Sequence, residues 1–461
     1  MIVAVLIILA YLMVGAWGSY LWHKEVSESY QKEFAKKTFT SETTGNERID
    51  YIEDNMEAMV YRLQMIETAE ERIILSTFDF DADEAGLRVL AALLNAADRG
   101  VSVRVIVDGL SGLMDFYGNA HFQAFVSHEN AAIKIYNPIN PLLPWKTMAR
   151  LHDKYLLIDD DMYLLGGRNT IKLFLGDYVK RKNHDSELFV YSRIPGEGES
   201  LRQLLAYSQR IWDLPESKEY ICKKVTKKTL AAKAELYVIY NGLKTEYPQA
   251  FQSPDWYEKT LAAEKVSLLT NPIEAVNKEP TLWYALTELM KSGESITIHT
   301  PFIICSKAMY ASLKDICEDV GDVEIITNAV ANGANPWGCC DYLNESNNIL
   351  ASGMKVYEFI GDTSKHTKII LIGHRLSVIG SFNVDMRSVY LDTEMMLVVD
   401  CKELNARLRE ETLVEKEYCR FVSMGEEYEY GVNYEEREIS GVRYIIYAIL
   451  RVVIRPFRHL L

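Results

Sequence analysis

Two stretches of the chain, more than two hundred residues apart, each place a histidine two residues before a lysine: His152 with Lys154, and His366 with Lys368. On an extended strand, residues two apart point to one face, so each pair presents an imidazole beside an ammonium. An apolar run follows each pair, then a polar turn, a second apolar run and paired small residues, Gly166-Gly167 or Gly380-Ser381. An asparagine stands three residues after the first of these glycines (Asn169, Asn383). The interval from histidine to that glycine is 14 residues in both copies, which chance explains poorly. Each stretch predicts a β-hairpin with its chemistry on one side.

These residue types suit exchange at phosphorus. Such a reaction needs a nucleophile, an acid for the departing oxygen and positive charge for the non-bridging oxygens. One neutral imidazole can attack while a second, protonated, donates to the leaving alcohol. Lys154 and Lys368 then hold the phosphate as point charges, and Asn169 and Asn383 add neutral hydrogen bonds. With two ammonium groups in that role, neither a metal nor another cofactor is expected. Each histidine also needs a partner on its other ring nitrogen to fix the tautomer. Because each copy brings one set, the site must lie between two halves of the chain.

The pattern resembles the phospholipase D superfamily, whose signature is His-x-Lys-x4-Asp followed by Gly-Gly/Ser-x-Asn. The first copy matches in full, with Asp159 at the acidic position. The second matches at His366, Lys368, Gly380, Ser381 and Asn383 and continues as Val-Asp-Met-Arg-Ser (384–388), similar to the bacterial cardiolipin synthase branch. It departs at Gly373, which stands where the second Asp belongs. The resemblance implies a phosphatidyltransferase that works through a phosphohistidine, taking a phosphatidyl group from phosphatidylglycerol or another phospholipid to a lipid alcohol. It implies a catalytic set of His152, Lys154, Asp159, His366 and Lys368, with Asp185 and Glu394 as acidic partners and Glu187 near the first of them. The substrate-binding set is Asn169, Asn383, Ser381 and Gly167, with Ser388 lining the second motif's pocket. His152 is expected to be the nucleophile, because its motif is complete, and His366 the acid and base. A hydrolytic phospholipase D and a non-catalytic membrane scaffold, its second motif decayed at Gly373, stay open as alternatives.

The elements that must position these groups follow the same duplication. In 72–108, an apolar strand, an Ala/Leu-rich helix ended by Gly100 and an alternating strand form a βαβ unit; 294–328 repeats that order. The expected fold is α/β: two pseudo-symmetric halves, each a mixed, mostly parallel sheet flanked by helices, with the site at their interface. The halves are expected at 51–221 and 263–439, joined by a Lys- and Tyr-rich linker at 222–262.

Residues 1–22 carry no charged side chain, and 1–23 is expected to be a retained transmembrane helix, followed by a linker at 24–50. Lys24, Lys32, Lys36 and Lys37 then put the following domain in the cytoplasm, on a single-pass cell-membrane protein. Residues 440–461 read as a basic interfacial helix with Arg443, Arg451, Arg455 and Arg458 on one face.

A net charge of −15 argues against nucleic acid as the main partner and against a nuclease. Seven cysteines without paired metal spacing fit reduced thiols. Phospholipid and membrane are the expected partners; oligomeric state is not legible.

Overall fold

The computed structural model describes residues 2–422 and 428–461. Ten strands belong to the first half: β1 (Glu47–Ile52), β2 (Arg72–Thr77), β3 (Ser102–Asp108), β4 (Ala131–Tyr136), β5 (Tyr155–Ile158), β6 (Met162–Gly166), β7 (Asn183–His184), β8 (Glu187–Ser192), β9 (Ser217–Tyr220) and β10 (Leu261–Ala262). The second half adds β11 (Lys265–Thr270), β12 (Ile296–His299), β13 (Ile303–Ile304), β14 (Val323–Asn328), β15 (Lys355–Phe359), β16 (Ser364–Lys365), β17 (Ile369–Ile372), β18 (Leu376–Gly380), β19 (Val384–Asp385), β20 (Met395–Asp400), β21 (Cys419–Val422) and β22 (Glu429–Tyr430).

The large sheets run β10-β1-β8-β6-β5-β2-β3-β4-β9 and β11-β20-β18-β17-β12-β14-β15-β21-β22. The internal duplication therefore extends to strand order. Each large sheet is mixed, but only two of its pairings are parallel, β2-β3-β4 and β12-β14-β15. The expectation of mostly parallel sheets is corrected. Only those three strands per half are joined by helical crossovers, whereas hairpins and returning strands pair antiparallel.

Local signals explain the crossovers. Asp83 accepts from the amides of Ala85 and Gly86 to start the helix Glu84–Asp98, and Gly100 ends it at φ +99°. Ser306 and Gly321 (φ +78°) do the same for Lys307–Val320. The two sheets meet face to face. Tyr51, Leu157, Tyr163, Leu165, Leu188 and Val190 share one buried cluster with Ile369, Leu371, Ile379, Met395, Leu397 and Val399. Helices cover the outer faces, each over its own core. The interface between halves is thus a hydrophobic core, which holds the catalytic groups in fixed register.

The termini and the joining segment differ from expectation. Residues 222–262 are no free linker: they contain the helix Lys227–Glu246, whose Ala232, Leu236, Tyr240 and Leu243 form a stripe buried in the first half's core. The expected linker 24–50 is divided between the halves: its first part lies on the second half, with Phe34 and Phe39 in that core and Ser41 N donating to Asp400 Oδ2 at 2.8 Å, and its last four residues begin β1 of the first half.

The expected transmembrane helix over 1–23 is corrected as well. No helix of the described residues is long and apolar enough to cross a membrane. The run folds as the 12-residue helix Ile2–Met13 and a π-type turn, Val14–Gly18. At 1.5 Å per residue that helix covers about 18 Å, short of a hydrocarbon core. Close packing ends it: a side chain at Gly15 would run into Pro144, Trp17 Nε1 donates to Pro456 O at 2.8 Å, and buried Tyr20 donates to Trp145 O.

The C-terminal helix Gly441–Val453 presents the opposite face from the one expected. Its arginines turn inward, Arg443 to the carbonyls of Ala331 and Gly333 and Arg451 to Asn344 Oδ1 and Leu343 O; beyond the helix, Arg458 pairs with Asp341. Val442, Ile445, Ile449 and Val452 face outward, 60–72% exposed.

Candidate active site

Each histidine stands just ahead of a central strand, β5 or β17, on a segment clamped from two sides. Asp108, at the end of β3, accepts from Leu151 N at 2.8 Å; Asn328, at the end of β14, accepts from Lys365 N at 2.9 Å. Across the interface, Leu151 bridges to Thr393, and β16 pairs with β7. His152 N donates to Thr393 Oγ1 (3.1 Å) and His366 N to His184 O (2.7 Å). The backbone of each catalytic histidine is therefore fixed by the other half.

The same crossing fixes the rings. His152 Nδ1 lies 2.8 Å from Glu394 Oε1, and His366 Nδ1 lies 2.5 Å from Asp185 Oδ2. Each half's carboxylate holds the opposite half's imidazole at Nδ1, so Nε2 is the nitrogen turned to substrate; His366 Nε2 also lies 3.2 Å from Lys368 Nζ. Phe78 stands edge-on to His152 at 5.7 Å and Phe174 edge-on to His366 at 5.0 Å, limiting rotation. Lys154 donates to His152 O at 2.6 Å, and Lys368 Nζ sits 2.7 Å from His366 Nδ1. Both lysines are 1% exposed.

Burial sets the electrostatics. It pushes both imidazoles down, assisted by the adjacent lysine in each case; His366 falls to about 4 and His152 well below its ordinary value. Burial lowers Lys154 and brings Lys368 to about 8. The two acids respond differently. Burial opposes charge on Asp185, but Lys368 and His366 outweigh it and hold that carboxyl at about 2. For Glu394 burial wins over Lys154 and two serine hydroxyls, lifting the carboxyl to about 8. Asp185 is a firm anion, whereas Glu394 shares a proton readily.

The remaining expected site residues divide between the cleft and its supports. Asn169 and Asn383 line a cleft of ≈ 360 Å³ together with both histidines. Asn169 Nδ2 donates to Asp79 Oδ2 at 3.2 Å; Asn383 Oδ1 has no hydrogen-bond partner among the described residues. Gly167 makes room for Asp185, since a side chain there would run into its carboxylate. Ser381 does not line the cleft: its Oγ donates to Glu394, as does Ser388 Oγ at 2.6 Å. Glu187 is taken by Arg62 at 2.7 Å, a buried structural pair.

Asp159, expected in the catalytic set, is placed elsewhere. It sits at φ +48° and accepts from the amides of Glu70, Glu71 and Arg72 at 2.7–2.9 Å, capping the turn before β2. Gly373 sits at φ +53° in the equivalent turn, where Arg409 donates to its carbonyl at 2.9 Å. Its loss of a carboxylate therefore alters a turn and not the reacting centre.

Sequence reasoning missed Asp79, Phe78 and Phe174, as well as the clamps Asp108, Asn328 and Thr393. Asp79 had one signal: it follows the end of the first βαβ strand, where α/β sheets bind ligands. Burial pushes it up to about 7, with Lys154 opposing.

The paired sheets and the two crossed His–acid–Lys sets define a phospholipase D-type phosphatidyltransferase. Residues 63–212 and 285–413 match the family described as cardiolipin synthase, PLD-like domain, and the chain belongs to that family. Cardiolipin synthase C of Escherichia coli K12 is 24% identical over 414 residues, covering 80% of this chain and 84% of that one. An uncharacterized protein of Helicobacter pylori 26695 is 23% identical over 395 residues, 78% of this chain and 77% of that one. Among solved structures, the phosphatidylserine synthase of Haemophilus influenzae Rd KW20 superposes with a TM-score of 0.66 at 16% identity, covering 94% of this chain and 99% of that one.

Proposed function

We propose that the protein moves a phosphatidyl group from phosphatidylglycerol, or a related phospholipid, through a phosphohistidine onto the hydroxyl of a second lipid, forming cardiolipin. The observation that carries this reading is the crossed pairing of imidazoles and carboxylates. His152, paired with the readily protonated Glu394, is the neutral nucleophile, and its Nε2 attacks phosphorus. His366, against the permanent anion Asp185, is the ring better able to carry a proton; it protonates the leaving alcohol and later takes the proton of the incoming hydroxyl. Lys154 and Lys368 hold the phosphate oxygens in a site largely shielded from water.

Membrane contact is part of the same proposal, with the catalytic domain on the cytoplasmic side of the cell membrane. Exposed Leu6, Ile7, Ile8 and Met13 at the N-terminus and the outward apolar face of Gly441–Val453 support it, as contiguous apolar surface on a lipid-metabolising fold suits an interfacial attachment.

The test is incubation of purified protein with labelled phosphatidylglycerol in mixed micelles containing chelator. Cardiolipin and glycerol are the expected products, and both His152→Ala and His366→Ala reduce turnover by roughly 10³-fold. With a phosphodiester carrying an activated leaving group, His366→Ala still becomes labelled on phosphorus and His152→Ala does not. Phosphatidic acid as the only product would make the protein a hydrolase instead.

A further inference from the structure

The second-half wall of the cleft carries groups that the phosphohistidine chemistry does not use. Thr327, on β14, lines the cleft at 1% exposure, and its Oγ1 has no hydrogen-bond partner among the described residues. A buried hydroxyl left unpaired is costly, so one that borders an open cleft points to a ligand that pairs it. The fold does not demand this hydroxyl. Asp108 and Asn328 hold corresponding places, each clamping the residue before a catalytic histidine, and the residue before Asp108 is the apolar Val107.

Two further features favour negative charge beside Thr327. The helix Pro336–Ala351 opens on the cleft through Ala334, Asn335 and Gly338, presenting the positive end of its dipole. Asn335 caps it with Oδ1, which accepts from Trp337 N at 3.0 Å and Gly338 N at 3.3 Å. Arg443 reaches beneath the adjoining loop, donating to Ala331 O at 3.1 Å, Gly333 O at 2.6 Å and Tyr447 Oη at 2.7 Å. These acceptors are carbonyls and a phenol, so among the described residues the guanidinium has no carboxylate partner beside this cleft-lining segment.

We infer that this wall is an acceptor subsite for a phosphate ester: Thr327, the Asn335-capped helix end and the field of Arg443 hold the phosphate of the incoming alcohol. The inference rests on the transferase reading above. It selects an acceptor that carries a phosphate ester and a free hydroxyl on one short polyol, the arrangement found in phosphatidylglycerol. With its phosphate seated there, the acceptor's hydroxyl oxygen attacks the phosphorus on His152. The P–O bond forms as the P–N bond breaks, the electron pair returns to His152 Nε2, and the hydroxyl proton passes to His366 Nε2.

The experiment compares tritiated glycerol with tritiated glycerol 3-phosphate as soluble acceptors, and phosphatidylglycerol as the lipid acceptor, all with the full-length protein and a phosphatidylglycerol donor. The wild type should prefer glycerol 3-phosphate over glycerol by roughly tenfold in kcat/KM, as one charge-assisted contact allows. Thr327→Val and Arg443→Gln should each move that ratio toward one, and Thr327→Ser should keep it. Thr327→Val keeps the side-chain size without the hydroxyl and Thr327→Ser keeps the hydroxyl with a smaller side chain, so a ratio lost only in the first is assigned to the hydroxyl and not to packing. Equal use of both soluble acceptors by the wild type, with phosphatidylglycerol still accepted, would overturn the subsite and assign acceptor choice to the acyl chains. An unchanged ratio in both variants would overturn it too. Failure to release glycerol from the donor would instead sink the transferase reading itself, and the subsite with it.

Discussion

The two halves share a strand order and a clamp-histidine-lysine skeleton, yet they fill matching positions with different residues. Gly167 corresponds to Ser381, Asp185 to Glu394, Val107 to Thr327 and Asp159 to Gly373. The first two differences go together. A glycine at 167 lets the short Asp185 reach His366 from the sheet, and no side chain fits above it. In the other half the longer Glu394 reaches His152 with Ser381 and Ser388 donating to its oxygens. One acid is held by cations as an anion and the other by hydroxyls in an environment where burial raises it. Duplication supplied two equivalent histidines, and these neighbours give them unequal roles.

The comparison breaks most visibly at the glycine. Gly167→Ser copies the second half into the first and pushes Asp185 off His366, so turnover should fall by roughly 10²-fold, the cost of a misplaced catalytic group. Ser381→Gly, the reverse copy, removes a single donor to Glu394 and should cost roughly tenfold. Turnover of labelled lipid, with thermal melting to check the fold, measures both; equal losses would deny the asymmetry.

A medium effect separates the two motifs by pH. Lys368 has a lowered pKa, so it is charged below about 8 and neutral above it. The hold on phosphate therefore weakens as pH rises, and kcat/KM should fall by about tenfold per unit on the alkaline side. Glu394 titrates in the same range. A limb that persists in Glu394→Gln but disappears in Lys368→Arg belongs to the second-motif lysine; loss of the limb in Glu394→Gln would assign it to the acid.

The smallest effect concerns the position at which the second motif looks incomplete. Gly373→Asp restores the motif but changes only a turn already clipped by Arg409, so turnover should stay within about twofold, as for surface changes away from the chemistry. Asp159→Gly removes an acceptor of three amides and should lower unfolding free energy by about 1–3 kcal/mol in urea titration, with little loss of turnover. A turnover loss in Asp159→Gly larger than its stability loss explains would return Asp159 to the reacting centre.

Much of the site was legible because motif residues are contiguous and strand periodicity is local. His152, Lys154, His366, Lys368, Asn169 and Asn383 could be read from spacing, and the first crossover of each half from strand pattern, Gly100 and the repeated element order. Asp185 and Glu394 could be picked out as acids downstream of each motif, but not the ring each would hold. The helix Lys227–Glu246 was hidden because its exposed lysines and tyrosines dominate composition while its buried stripe is narrow. The apolar N-terminus read as a span because hydropathy does not register Gly15 against Pro144 or the hydrogen bonds of Trp17 and Tyr20. On the C-terminal helix, amphipathicity gave two faces without saying which one meets the protein.

The sequence by itself determined that two copies of one phosphoryl-transfer motif are present and that they must meet, because side-chain spacing on strands and the chemistry of imidazole and ammonium are local properties. Only the tertiary structure decided that the acids cross between halves, that Asp159 and Gly373 are turn residues, and that Arg443, Arg451 and Arg458 point inward. Those facts depend on which face of one element packs against another, and packing joins residues that lie hundreds of positions apart along the chain.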